Sequence, residues 1–124
     1  MGARTTWEIQ TNETTSLYLY SHWGGGSKLR DTIKAIRAAE PRWSDLTYCA
    51  RIIVSQIVGD SWADETGFGL DVGEPNQSPF EEEYFRCVID LIRRTVQLGD
   101  EVIKFDDFIH NPPMAVQEVG YQGA

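Results

Sequence analysis

The strongest constraint on this chain sits at its beginning, where two short segments rich in aromatic and β-branched residues alternate around a turn. They run from about Thr6 to Thr11 and from Ser16 to His22, with Asn12-Glu13-Thr14 between them. Successive side chains of a strand point to opposite faces. The pattern therefore predicts a β-hairpin with Trp7, Ile9, Leu17 and Leu19 on one face and Tyr18, Tyr20 and His22 on the other. A two-stranded hairpin is not stable by itself. The rest of the chain has to supply further strands and a layer to cover them.

Helical spacing follows the hairpin. Beyond Trp23 and three glycines, Ser27 stands as a helix cap, Leu29, Ile33 and Ile36 recur on one face, and Glu40-Pro41 ends the run. Ser44 is placed to cap a second helix, whose stripe is Leu46, Cys49, Ala50, Ile53 and Ile57 and whose stop is Gly59. Two helices so closely linked are expected as an antiparallel or bent pair on one side of a sheet. Asp64 to Val72, with Thr66-Gly67-Phe68-Gly69-Leu70, suits a loop leading into a short strand, and Gly73 to Pro79 suits a polar surface loop.

Residues 79–98 carry two competing patterns. Ser78-Pro79-Phe80-Glu81 fits a capping box, and Phe85, Val88, Ile89, Ile92 and Val96 then form a helical stripe. The same region reads as strands: Tyr84 to Leu91, a turn at Arg93-Arg94, and a hairpin of Thr95 to Leu98, Gly99-Asp100, and Glu101 to Phe105. The Gly-Asp turn and the β-branched content favour a meander, followed by a short helix from Asp106 to His110. The expected fold is α+β. An N-terminal hairpin, two helices and a C-terminal meander form one mostly antiparallel sheet with the helices packed on one face. Residues 1–111 are expected as a single domain and 112–124 as a flexible tail; 124 residues suffice for one core.

Charge narrows the partners. Nineteen acidic residues against eleven basic ones leave a net charge of −8, so a grip on nucleic-acid backbones or anionic membranes is not expected. The balance favours a basic partner. Cys49 and Cys87 lie in apolar surroundings and read as reduced core thiols, which fits a cytoplasmic setting. No apolar run reaches the roughly 18 residues of a membrane span.

Three clusters are candidates for a site. At His22-Trp23-Gly24-Gly25-Gly26-Ser27-Lys28 a strand meets a glycine-rich turn and a helix N-terminus, an arrangement that can hold an anion, with Lys28 adding charge. It lacks Walker and Rossmann spacing, and the same residues suit a tight turn with Trp23 packed over the first helix and His22 satisfied by a backbone carbonyl. On the second helix Tyr48 and Arg51 share a face and could line a pocket near Trp43 and Asp45. Between Gly67 and Gly69, Phe68 could present a ring for stacking or enter the core. With two histidines, no paired Cys-x-x-Cys and no His-Glu-x-x-His, no catalytic or metal-ligating set stands out. Glu81-Glu82-Glu83 is expected as a solvated edge.

The segment Leu19-Tyr20-Ser21-His22-Trp23-Gly24-Gly25 resembles a group of small uncharacterised proteins from phages and prophage-bearing bacteria, which share a Tyr-x-His-Trp-x-Gly motif after an N-terminal hairpin. The resemblance extends to Arg42-Trp43-Ser44-Asp45, Glu65-Thr66-Gly67-Phe68-Gly69 and the stretch from Val88 to Ile109. It implies a phage setting and strands in the last third, and carries over no catalytic residues.

The leading expectation is a non-enzymatic phage accessory protein that binds and inhibits a host component, such as one of antiviral defence. Tyr20, His22, Trp23, Gly24, Gly25, Lys28, Tyr48, Arg51 and Phe68 are its candidate contacts. The alternatives are a binder that sequesters a nucleotide-like molecule, using the glycine-rich junction and Arg51, and a virion or assembly component. No cofactor is implied, and a homodimer through a sheet edge or the Tyr18/Tyr20 face is compatible with the pattern.

Overall fold

A computed structural model of the protein describes residues 3–80, 82 and 84–113. The strands are β1 (Thr5–Gln10), β2 (Ser16–Ser21), β3 (Phe68–Gly73), β4 (Cys87–Asp90), β5 (Thr95–Leu98) and β6 (Glu101–Lys104). The helices are α1 (Lys28–Ala38), α2 (Leu46–Val58) and α3 (Phe105–His110). The strands form one open sheet in the order β3-β2-β1-β4-β5-β6. All neighbours are antiparallel except β1 and β4. The expected hairpin and meander are both present. The parallel β1/β4 seam that joins them has no local signal in the sequence. The tail expected at 112–124 falls beyond Pro113 outside the described residues.

The hairpin faces are those the alternation predicts. Trp7 lies opposite Leu19 and Ile9 opposite Leu17, and across the parallel seam Trp7 meets Cys87 and Ile9 meets Ile89. This face, continued by Val96 and Leu98, forms one buried core with Ile36, Ile53 and Phe108 from the three helices. Trp7 donates its indole N–H to Thr32 on α1 at 2.8 Å, which removes the one polar liability of so large a buried ring. The cap of α2 is Asp45, not Ser44: its carboxylate accepts the Tyr48 N–H at 3.3 Å. The helix stops at Gly59, whose φ of +58° strains any residue with a Cβ. Among the described residues no helix is long and apolar enough to cross a membrane.

The helices pack on one face of the sheet, and the other face is covered over β1 and β2. Since β3 lies at one edge and β4 in the middle, the chain from Glu74 to Arg86 has to pass β2 and β1, and it does so across this face. Tyr18 is fully buried beneath it, its hydroxyl donating to the Glu74 carbonyl and accepting the Gln77 N–H at 3.0 Å. The buried Glu8 carboxylate accepts from Ser16 Oγ at 2.7 Å and the Asn76 N–H at 3.0 Å, and faces Arg86 at 3.5 Å. The Phe80 ring lies 5.2 Å from that of Tyr20. Gly73 to Pro79 is thus a loop with a buried underside. The capping box at Ser78 starts no helix among the described residues. Tyr18 is not available for a dimer contact.

The far end of this crossing is fastened by Glu82. Its carboxylate accepts from Thr5 Oγ1 at 2.7 Å, the Thr6 N–H at 3.0 Å, the Tyr84 N–H at 2.9 Å and Lys28 Nζ at 3.1 Å. Glu82 is thus a surface residue whose carboxylate is held by four donors and not a freely solvated acid, while Glu81 and Glu83 lie outside the described residues. Cys49 and Cys87 are free thiols in the core, and burial pushes both up to about 11.

Candidate functional site

The glycine-rich junction starts where β2 ends. The His22 N–H still pairs with the Gly67 carbonyl at 2.9 Å, and Gly24–Ser27 then forms one 3-10 turn leading into α1. A Cβ on Gly25 would come within 2.3 Å of the Tyr84 ring, and one on Gly24 within 2.6 Å of Ser21 Oγ. These glycines let the crossing chain and β2 pack against the turn, so the approach a ligand would need at Gly25 is already taken by Tyr84. Only Gly26 of the three faces open space.

Lys28 points inward. Its fully buried ammonium donates to the Phe85 carbonyl at 2.6 Å, pairs with Glu82, and lies over the rings of Phe85 and Trp7 at 5.0 and 5.8 Å. Burial lowers its pKa, opposed by the nearby acidic groups Cys87 and Glu82. A ligand at the surface of the junction does not reach this charge. Beside it, Ser27 Oγ donates to Asp31 at 2.7 Å.

Tyr20, His22 and Trp23 form a continuous aromatic run. The Tyr20 hydroxyl lies 3.1 Å from His22 Nδ1, and the His22 ring meets Trp23 edge-on at 4.3 Å. His22 is thus satisfied by a hydroxyl instead of a backbone carbonyl. Trp23 is not packed over α1 but 65% exposed. Tyr48 and Arg51 do share an exposed face of α2, and neither lines a recess with the other candidates. Arg42 covers the Tyr48 ring at 5.4 Å and Arg51 donates to Ser55 at 3.2 Å. Tyr48 lies six residues before Val54, roughly 9 Å along the helix axis from where α2 begins to border the groove described next, whereas the Ser55 that Arg51 meets lines it.

That groove opens where α2 ends and β3 begins. After the Gly59 stop, the 3-10 turn Gly59–Ala63 holds Trp62 out at 80% exposure. The chain then turns through Gly67, with φ of +104°, and enters β3 at Phe68. Two adjoining recesses of about 280 and 470 Å³ share Val58, Ser61, Asp64 and Phe68. Trp62 and Leu70 border the first, and Trp23, Gly24 and Asp31 border the second. Of the residues singled out in sequence, Trp23, Gly24 and Phe68 converge here. Trp62, Asp31 and Asp64 escaped notice, although a tryptophan in the otherwise small and polar run Gly59-Asp60-Ser61-Trp62-Ala63-Asp64 belongs to no apolar stripe and is a legible signal.

The groove's chemistry follows from its lining. It combines indole and phenyl rings with the carboxylates of Asp31 and Asp64, and among the described residues no lysine or arginine lines either recess. Such a surface attracts cations and repels phosphates. Among the described residues, no three of His, Cys, Asp and Glu gather as a metal-binding group.

Comparison with known proteins adds little to this geometry. No protein family matches the sequence, and no solved structure matches it. A phosphoglycerate kinase from Methanopyrus kandleri is 31% identical over 81 residues, which are 64% of this chain and 18% of that protein. The chain spans less than a fifth of that relative's length.

Proposed function

We propose that the protein is a non-enzymatic binding protein that acts by occupying a partner protein, in the setting its sequence segments suggest: a phage product that inhibits a host component in the host cytoplasm. The observation that carries the binding reading is the groove with Trp23 and Trp62 at its rim and Asp31 and Asp64 within it. Two large indoles exposed on two adjoining recesses are unusual on a surface that has no use for them, and tryptophan dominates the energetics of protein interfaces. The net charge of −8 favours a partner with a basic patch. The phage setting rests on the resemblance of Leu19–Gly25 and the later segments up to Ile109, and the inhibitory role on that resemblance together with small size and acidity.

The groove does not favour the nucleotide-binding alternative. A phosphate brought to it would meet Asp31 and Asp64, while Lys28 is buried and Arg51, which donates to the lining residue Ser55, is itself part of neither recess lining. The same reasoning applies to any carry-over from the kinase fragment.

The test is affinity capture of the full chain from host lysate beside its Trp23→Ala and Trp62→Ala variants, followed by titration of the recovered partner. Loss of a tryptophan at an interface centre costs about 2 kcal/mol, roughly 30-fold in affinity. A partner that ignores both substitutions, or repeated recovery of none, overturns the proposal.

A further inference from the structure

We infer that the outer edge of β3 is where the partner docks, taking an extended segment of alternating apolar and basic residues as a seventh strand. This rests on the protein-binding reading above and adds the mode of binding and the chemistry of the bound segment.

The backbone geometry comes first. His22 and Gly67 form a hydrogen-bonded pair, and in an antiparallel ladder such pairs recur at every second residue. Gly69, Asp71 and Gly73 therefore turn their peptide groups toward β2, and Phe68, Leu70 and Val72 turn theirs outward. The Val72 N–H is consistent with this, since it is taken by the Asp71 carboxylate at 2.8 Å. The outward N–H and C=O groups of Phe68 and Leu70, with the Val72 carbonyl, form the template an added strand needs.

The side chains agree. Leu70 and Val72 lie opposite Leu19 and Leu17, on the face that the helices cover elsewhere, yet they are 57% and 59% exposed. A strand added here would bury both and bring its own apolar residues beside Trp62. On the other face it would meet Asp71 between Gly69 and Gly73. β3 carries one acidic residue and no basic one, so a lysine or arginine at alternate positions complements it. The opposite edge, β6, has four residues, of which two are the charged Glu101 and Lys104, and runs straight into α3. Charged, short edges resist added strands. A second copy of this chain is the weaker occupant, because it would set two bodies of net charge −8 together with Asp71 of each on one face of the same short edge.

The probe is a synthetic Lys-Val-Lys-Val-Lys-Val-Lys peptide titrated into the full chain, read by tryptophan fluorescence. It is compared with the same peptide N-methylated at alternate residues and with a Glu-Val version. Saturable binding is expected for the first. The N-methylated form should bind about tenfold more weakly through loss of strand pairing, and the Glu-Val form should not bind. Leu70→Lys, at an exposed position, should weaken the Lys-Val peptide about tenfold while leaving the thermal melt unchanged. Equal binding of the methylated peptide, indifference to Leu70→Lys, or no binding overturns the inference. If a captured partner depends on Trp62 but not on Leu70, the edge fails while the groove reading stands; if no partner is found, the groove reading fails. A concentration-dependent dimer abolished by Leu70→Lys would assign the edge to a second copy and also overturn it.

Discussion

Replacing Glu82 with alanine would leave the Lys28 ammonium in the core without its carboxylate. The side chain of Lys28 is 0% exposed and that of Glu82 26%, so the pair is largely shielded from water. Breaking a buried pair by removing one partner costs 3–5 kcal/mol. The remaining bond to the Phe85 carbonyl and the partial exposure of Glu82 place Glu82→Ala at about 3 kcal/mol, the lower end of that range. Lys28→Met removes the charge instead and keeps the volume. Glu82 would still accept from Thr5, Thr6 and Tyr84, so the loss should be about 1 kcal/mol. In the double variant no ammonium is stranded, and the total should be about 2 kcal/mol, a coupling of about 2 kcal/mol. Urea unfolding followed by tryptophan fluorescence measures all three, with Trp7 reporting from beside Lys28. Additive losses, or a Glu82→Ala loss under about 1 kcal/mol, would refute the view that Glu82 fastens the crossing chain to α1.

The glycine run offers an internal control: Gly25→Ala drives a methyl into the Tyr84 ring and should lower stability by about 1–3 kcal/mol, whereas Gly26→Ala meets nothing within 4 Å and should be near neutral. Equal losses in thermal melts would show that Tyr84 does not seal this turn. Alkaline stability tests the buried thiols. Cys87 is pushed up from 9.0 to about 11 by burial, so above pH 9 the unfolded chain loses a proton that the native state keeps. Its contribution is constant below pH 9 and falls by about 3 kcal/mol between pH 9 and 11. Lys28 acts in the opposite sense, its lowered pKa adding stability as pH rises, so the readout is the difference between the native chain and Cys87→Ser. Identical alkaline slopes would refute the assignment.

Much of the fold is legible in the sequence because its signals are local. The hairpin faces follow from two-residue alternation between Thr5 and Ser21, the stop of α2 from Gly59, and the β5–β6 turn from Gly99, which adopts φ of +61°. These depend on neighbours a few residues apart, and no distant contact overrides them. The site was half legible. Trp23 and Phe68 were picked out for their glycine context, but their meeting with Trp62 and Asp64 required the end of α2 to lie beside the start of β3.

What tertiary structure alone decided is how the two local sheets join and what each charge faces. Pairing β1 with β4 in parallel brings residues about eighty positions apart into register, a choice no short window contains. That pairing sends Glu74–Arg86 across the second face, which buries Tyr18 and Glu8 and turns Glu82 from an apparent solvated acid into the partner of Lys28. Composition and alternation thus determine that the chain forms a hairpin, helices and a meander. Burial, which depends on long-range order, determines that Lys28 serves the core while the exposed tryptophans border the groove.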